Sequence, residues 1–228
     1  MTLHLTRHGQ VDQKTDHPVG DPYLSALGRT QAKLLGERLK SLGFNGKVFS
    51  SPYMRTVETA NIVAEVTDVP VIPAPEMREY VIREDQMDTF KGLSLAELAD
   101  RYQKVDGEIP FDYPWWTTEI ETQEIIEGRV QPLVDRVSES GEDALLVGHG
   151  ASVGGVHGYI LGKHAPDRLG SGEPGWNCVL SSFRFEEEFK LIRLLDTEHL
   201  PEDHVTSNAK TRAEVLKERA ERGKEPRA

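Results

Sequence analysis

Asp143-Ala144-Leu145-Leu146-Val147-Gly148-His149-Gly150 is the stretch from which the fold can be read. Four apolar residues in succession, Ala144–Val147, read as a short strand buried on both faces, the pattern of a parallel strand covered by helices. Gly148-His149-Gly150 breaks the run, and the residues after it, to about Leu161, read as a helix. A strand that passes into a helix through a glycine turn is the unit of a layered α/β domain, where ligands sit at the strand ends.

The same unit recurs on both sides. Thr2–Arg7 alternates Leu3 and Leu5 with polar neighbours and predicts a strand. Leu24–Gly43 predicts a helix on Ala32, Leu35, Leu39 and Leu42, with Gly43 as its stop. Lys47–Ser50 reads as a strand feeding Pro52, a residue suited to a first helical position, and a helix to about Glu65. Val69–Ile72 is a further short strand. Ile126, Val130, Leu133 and Val137 predict a long helix that Pro132 must kink or restart. Cys178–Phe185 and Phe189–Leu195 read as two strands joined by the acidic turn Glu186–Glu188. The segment from Pro73 to about Trp116 looks inserted, broken by Gly92, Gly107, Pro110 and Pro114 around one short helix near Ser94–Tyr102. The expected fold class is therefore α/β.

Composition narrows the function classes. The 228 residues are 37% apolar and 29% charged, with a net charge of −11, which argues against general binding to nucleic acid or anionic membrane. No apolar run approaches the length of a membrane span, and no signal-like segment opens the chain. The one cysteine, Cys178, fits a reducing compartment, so a cytoplasmic location is expected. Residues 79–127 hold thirteen acidic and four basic side chains, whereas 207–228 hold seven basic and four acidic. We expect one domain over 1–206, with a lid-like insertion at about 80–116, and a polar basic tail at 207–228 forming a mobile arm or an exposed helix. The sequence assigns no oligomeric state.

Three strand ends carry chemistry. Arg7-His8-Gly9 places an imidazole beside a guanidinium fork, with a glycine that leaves room for close approach. In Ser50-Ser51-Pro52-Tyr53-Met54-Arg55, Arg55 falls in the first turn of a helix, where its charge opposes the helix dipole unless an anion offsets it. Val147-Gly148-His149-Gly150 sets a second histidine at another strand end.

Leu5-Thr6-Arg7-His8-Gly9, the stretch Asp21–Ala32, Ser50–Ala60 and Val147–Gly150 resemble, in order, four motifs of the histidine phosphatase (phosphoglycerate mutase-like) superfamily. The resemblance implies a three-layer α/β/α sandwich around a mostly parallel sheet, with His8 as a nucleophile that becomes phosphohistidine. It puts Arg7, Arg55 and His149 on the phosphoryl oxygens. It also implies an acid in a Leu-x-Glu-like stretch after the third strand. Met77-Arg78-Glu79 matches with Met in place of Leu, making Glu79 the candidate and Glu76, Glu84 and Asp85 its alternatives. The expected activity is hydrolysis of a small phosphorylated metabolite without metal or other cofactor. Phosphoryl transfer fits such a site, because it needs an in-line nucleophile and dense positive charge.

Other readings compete. Glycolytic mutases of that family follow Arg-His-Gly with Glu-Ser and later a tryptophan-rich stretch; here Gln10-Val11-Asp12-Gln13-Lys14-Thr15-Asp16-His17 follows, which disfavours mutase-type transfer. Gly150-Ala151-Ser152-Val153-Gly154 satisfies the G-x-S-x-G elbow of serine hydrolases, with Asp167 or Asp196 and His199 or His204 to complete a triad. A non-catalytic module that binds phosphate esters would keep the fold without the chemistry. A metal site is the weakest reading: His4 and His8 lie about 13 Å apart at strand rise, and Cys178 has no partner cysteine.

Overall fold

Residues 1–12, 20–87, 90–106, 114–169 and 175–222 are described by the computed structural model. The elements run β1 (Thr2–Arg7), α1 (Ala26–Ser41), β2 (Lys47–Ser50), α2 (Met54–Thr67), β3 (Val71–Pro73), α3 (Glu84–Met87) and α4 (Leu95–Arg101). They continue with α5 (Gln123–Ser140), β4 (Ala144–Gly148), α6 (Gly150–His164), β5 (Leu180–Phe185), β6 (Phe189–Asp196), β7 (Thr206–Ser207), β8 (Lys210–Thr211) and α7 (Arg212–Arg222). Six strands form one sheet in the order β3-β2-β4-β1-β5-β6, in which β3, β2, β4 and β1 are parallel and β5 runs antiparallel between β1 and β6.

The alternation within β4 divides the core. Leu145 and Val147 join Val48, Leu35, Leu39, Val57 and Ala60 on the face covered by α1 and α2. Ala144 and Leu146 join Leu3, Leu5, Val134, Val137, Val153 and Val156 on the face covered by α5 and α6. Helices on both faces of a mostly parallel sheet make the three-layer sandwich that the motifs imply.

The helix ends explain where boundaries moved. Helix α1 starts at Ala26 because the Ser25 hydroxyl accepts from the Gly28 N–H (3.0 Å), so Leu24 and Ser25 stand outside it. Helix α2 starts at Met54, two residues after Pro52, and its N-cap Tyr53 supplies no side-chain bond. The cap comes from elsewhere: Asp21 Oδ2 accepts from the Met54 N–H. Helix α5 runs unbroken through Pro132, whose missing N–H leaves the carbonyl of Gly128 without its usual donor.

The inserted segment is tied to the sheet and to the site. Val71 N donates to Lys104 O (2.8 Å) and Asp106 N to Val71 O (2.9 Å), so Val105 lies alongside β3. Trp115 is buried, bonded through Nε1 to Leu93 O (2.8 Å), and stands edge-on to Tyr53 at 4.8 Å. Gly107 and Pro110, read above as breakers, lie outside the described residues. The expected tail boundary at residue 207 falls inside the β7–β8 hairpin. Beyond it, α7 is largely exposed, with Val215 against a small cluster of Trp176, Val179, Leu200 and Val205.

Candidate active site

Sheet register brings the three chemistry-bearing strand ends together. Arg7 pairs with Gly148 and Ser50 with Val147, so Arg7-His8, Ser50-Ser51 and Gly148-His149 leave adjacent parallel strands at the same edge. The antiparallel β5 begins at that edge, which adds Asn177 and Cys178.

His8 is buried, and its backbone is gripped from two sides: its N–H donates to Gly148 O (3.0 Å) and its carbonyl accepts from Asn177 Nδ2 (2.9 Å). Its Nδ1 lies 2.7 Å from the Gly9 carbonyl, which can only accept, so the proton of a neutral ring sits on Nδ1 and the Nε2 lone pair is free. Burial, and then the charges of Arg7 and Arg55, push this imidazole well below its ordinary pKa and keep it neutral. Gly9 is required by its surroundings: a Cβ there would fall 2.6 Å from the Gly28 carbonyl oxygen of α1.

The two arginines are held differently. Arg55 is buried, with Nη1 on Asp21 Oδ1 (2.7 Å) and its guanidinium carbon 4.8 Å from the Tyr53 ring centre. The fully buried Asp21 caps α2 and offsets the misplaced cation at one stroke, a role the sequence reading left to a ligand. Arg7 gives Nη1 to Gly175 O (2.8 Å) and Ser207 Oγ (3.1 Å), and Nη2 to Asn208 Oδ1. Among the described residues that leaves, of the five N–H groups of a guanidinium, Nε–H and one on Nη2. The Nε atom is buried without a partner among them, which is the state of a donor awaiting an acceptor. Asn208 reaches Arg7 from a hairpin turn with φ 54°, a left-handed conformation that asparagine tolerates.

His149 is fully buried, its ring centre 5.3 Å from that of His8. Its Nε2 lies 2.9 Å from Ser51 Oγ, while Nδ1 has no hydrogen-bond partner and lies 3.6 Å from Glu79 Oε2. Burial, followed by Arg55, His8 and Arg7, lowers its pKa well below the imidazole range. Glu79 Oε2 also stands 4.0 Å from Arg55 Nη2, and burial raises the carboxyl pKa against the opposing pull of Arg55. The backbone around Glu79 is held from α5: Arg129 donates to the carbonyls of Glu76 (2.7 Å) and Arg78 (3.0 Å), while buried Glu121 accepts from both Arg129 (3.1 Å) and Arg78 (3.0 Å).

The cluster thus contains all five expected site residues, Arg7, His8, Arg55, Glu79 and His149. The alternative acids stand differently. Glu76 pairs with Arg136 (3.0 Å), Glu84 is exposed in α3, and the Asp85 side chain lies outside the described residues, as does the loop 13–17. Ser152 is not poised as a nucleophile. Its hydroxyl caps α6, accepting from the His149 N–H (2.9 Å), and His199 Nε2 is bonded to Cys178 O (2.9 Å). His4 is bonded to Ser182 Oγ (2.9 Å) in the sheet. Among the described residues no group of three or more metal-ligating side chains converges, and no helix is long and apolar enough to cross a membrane. Asp21, Ser51, Asn177, Ser207 and Asn208 were not singled out from sequence; only Asp21 and Ser51 lie within the motifs quoted for it.

Such a cluster can hold a tetrahedral dianion between two guanidinium groups and His149, with His8 Nε2 as nucleophile and a carboxyl beside it. The chain is 28% identical over 194 residues, 82% of its length and 86% of the relative's, to a probable phosphoglycerate mutase, GpmB, of Yersinia enterocolitica. Its fold is similar to that of an ecdysone phosphate phosphatase from Bombix mori in complex with tungstate (18% identity, TM-score 0.70, covering 95% of this chain and 99% of that one). It is also similar to a phosphoserine phosphatase from Entamoeba histolytica in complex with phosphoserine (21% identity, TM-score 0.60, covering 88% and 99%). The family model of the histidine phosphatase superfamily (branch 1) matches residues 3–197, and the chain belongs to that superfamily.

Proposed function

We propose that this protein is a phosphomonoester hydrolase that acts through a phosphohistidine at His8, on a small phosphorylated metabolite in the cytoplasm. The observation that carries the reading is the His8 ring: Nδ1–H is committed to the Gly9 carbonyl, and the free Nε2 belongs to a buried, neutral imidazole beside Arg7, whose Nε has no acceptor among the described residues. In the first step Nε2 attacks phosphorus and the bond to the alcohol oxygen breaks, with the proton of the Glu79 carboxyl passing to that oxygen. In the second, the Glu79 carboxylate takes a proton from water, the water oxygen bonds to phosphorus, and the N–P bond returns its electrons to Nε2. Inorganic phosphate leaves, and Glu79 is protonated again. Arg7, Arg55 and His149 stabilise the charge on the three equatorial oxygens of the phosphoryl group in transfer. The burial that raises the Glu79 pKa suits a group that must hold a proton in one step and lack it in the next.

Acid-quenched enzyme incubated with a labelled phosphomonoester should carry an acid-labile phosphate on His8 that His8→Ala lacks; label on Ser152 would sink the reading. A second reading, transfer between hydroxyls of a phosphoglycerate, is favoured by the name of the Yersinia relative, a probable phosphoglycerate mutase. Product analysis separates the two: hydrolysis releases inorganic phosphate, whereas transfer conserves it in an isomeric ester.

A further inference from the structure

Ser51 stands outside the phosphoryl cluster, yet its hydroxyl touches one member of it. The Oγ–Nε2 contact with His149 (2.9 Å) is the only hydrogen bond of that hydroxyl among the described residues, and both side chains are fully buried. The opposite nitrogen of the ring, Nδ1, makes no hydrogen bond among the described residues and faces Glu79 Oε2 at 3.6 Å. We propose that Ser51 is a positioning residue that sets the tautomer of His149, its hydroxyl proton occupying Nε2 so that the ring proton sits on Nδ1 and is presented to the bound phosphoryl group. The proposal rests on the reading of this site as a phosphoryl-transfer centre.

Counting donors decides between the two neutral tautomers. If Nε2 carried the proton, it would donate to Ser51 Oγ, and the serine hydrogen would be buried with nothing to accept it. In the complex the Nδ1 lone pair would then face a phosphate oxygen, so acceptor would meet acceptor. With Ser51 as donor, its O–H goes to Nε2, and Nδ1–H points toward Glu79 Oε2, 3.6 Å away, free to be taken up by a phosphate oxygen. The neutrality imposed on His149 by burial leaves a single ring proton to place, so the tautomer governs whether this residue attracts or repels the ligand. The two histidines of the site are then set by parallel means, His8 by the Gly9 carbonyl and His149 by the Ser51 hydroxyl, each holding the nitrogen that faces away from the substrate.

Long-range 1H–15N correlation spectra of the ligand-free, 15N-labelled protein report the tautomer directly, with His149 assigned through His149→Asn. The expected wild-type pattern is Nδ1–H; an Nε2–H pattern overturns the proposal without recourse to any variant. Ser51→Ala should move His149 toward Nε2–H and weaken binding of inorganic phosphate by on the order of tenfold, the loss of a hydrogen bond to a charged group. Ser51→Thr, which keeps the hydroxyl, should retain both the Nδ1–H pattern and the affinity. A folded Ser51→Ala protein that keeps Nδ1–H, or that binds phosphate as tightly as wild type, overturns the role of Ser51. Undetectable phosphate binding by the wild type would instead overturn the phosphoryl-transfer reading, and the functional half of this proposal with it, whatever tautomer the spectra record.

Discussion

Lowering the pH from 7 to 5 should remove much of the stability of this fold, because His4, His8 and His149 are buried in their neutral form. Burial depresses all three, His4 to about 4 with Asp143 opposing and Arg193 adding to the shift, and His8 and His149 well below their ordinary value. The unfolded chain binds a proton at each near pH 6.5, while the native state stays neutral, so acid favours unfolding from there down to the folded pKa. Integrated over this window, each imidazole that stays neutral down to pH 5 costs about 2 kcal/mol, so the three together cost up to about 6 kcal/mol. Against a typical total of about 5–15 kcal/mol this is a large fraction, equivalent to a fall in Tm of roughly 12–24 °C for a chain of this size. Glu79 acts in the opposite sense, since its raised pKa lets the native state hold a proton that the unfolded chain has lost, but it contributes at most one proton and only near the carboxylate range. Urea titrations at pH 7, 6 and 5 measure the slope. His4→Asn removes a ring stacked edge-on against Phe44 at 5.6 Å, so it should be less stable at pH 7 yet lose about 2 kcal/mol less on acidification. A wild-type stability that changes by less than about 2 kcal/mol between pH 7 and 5 would refute the reasoning.

Three further outcomes concern the site. Arg55→Lys should lower kcat/KM by on the order of tenfold or more, because an ammonium cannot reach both Asp21 and a phosphate oxygen as a planar fork does; a near wild-type rate would reduce Arg55 to scaffolding. Glu79→Gln should impair turnover of alkyl phosphates in both steps, whereas p-nitrophenyl phosphate, whose leaving group needs little protonation, should give a burst of p-nitrophenol as phosphoenzyme accumulates. Equal impairment of phosphoenzyme formation on both substrates would count against Glu79 as the acid. Asn208→Ala should weaken inorganic phosphate binding several-fold by loosening Arg7, with little change in thermal stability, and calorimetry that finds an unchanged Kd would contradict the supporting role of the hairpin.

Strands were the most legible part of the chain. Thr2–Arg7 and Lys47–Ser50 carry their own pattern and pair over the residues that pattern marks. Arg7, His8, Arg55 and His149 were readable for a related reason, since each sits at a strand end or helix start where local sequence determines placement. What escaped was whatever acts across the chain. Asp21 caps a helix 33 positions ahead and neutralises Arg55, and nothing adjacent to it announces either task. Ser207 and Asn208 lie in a polar stretch with the composition of a tail, yet they hold a guanidinium about 200 positions earlier. Contact across the fold is the missing quantity in both cases, because a polar residue looks the same in sequence whether water or a distant guanidinium stands beside it.

The place of β1 in the sheet bears on how the chain comes off the ribosome. β1 lies between β4 and β5, whose residues begin at 144 and 180 and are made after it, and the groups that steady Arg7 come later still, at 207 and 208. At about 5–20 residues per second, the nucleophile and its neighbouring arginine wait roughly 10–40 s after synthesis for their last partners. No competent site exists on a partly made chain, and β1 must meanwhile stay unpaired without recruiting other copies. Its own composition serves that interval: Thr2, His4 and Thr6 make one face polar and leave only Leu3 and Leu5 on the other, so the waiting strand offers a short apolar face to any stray edge.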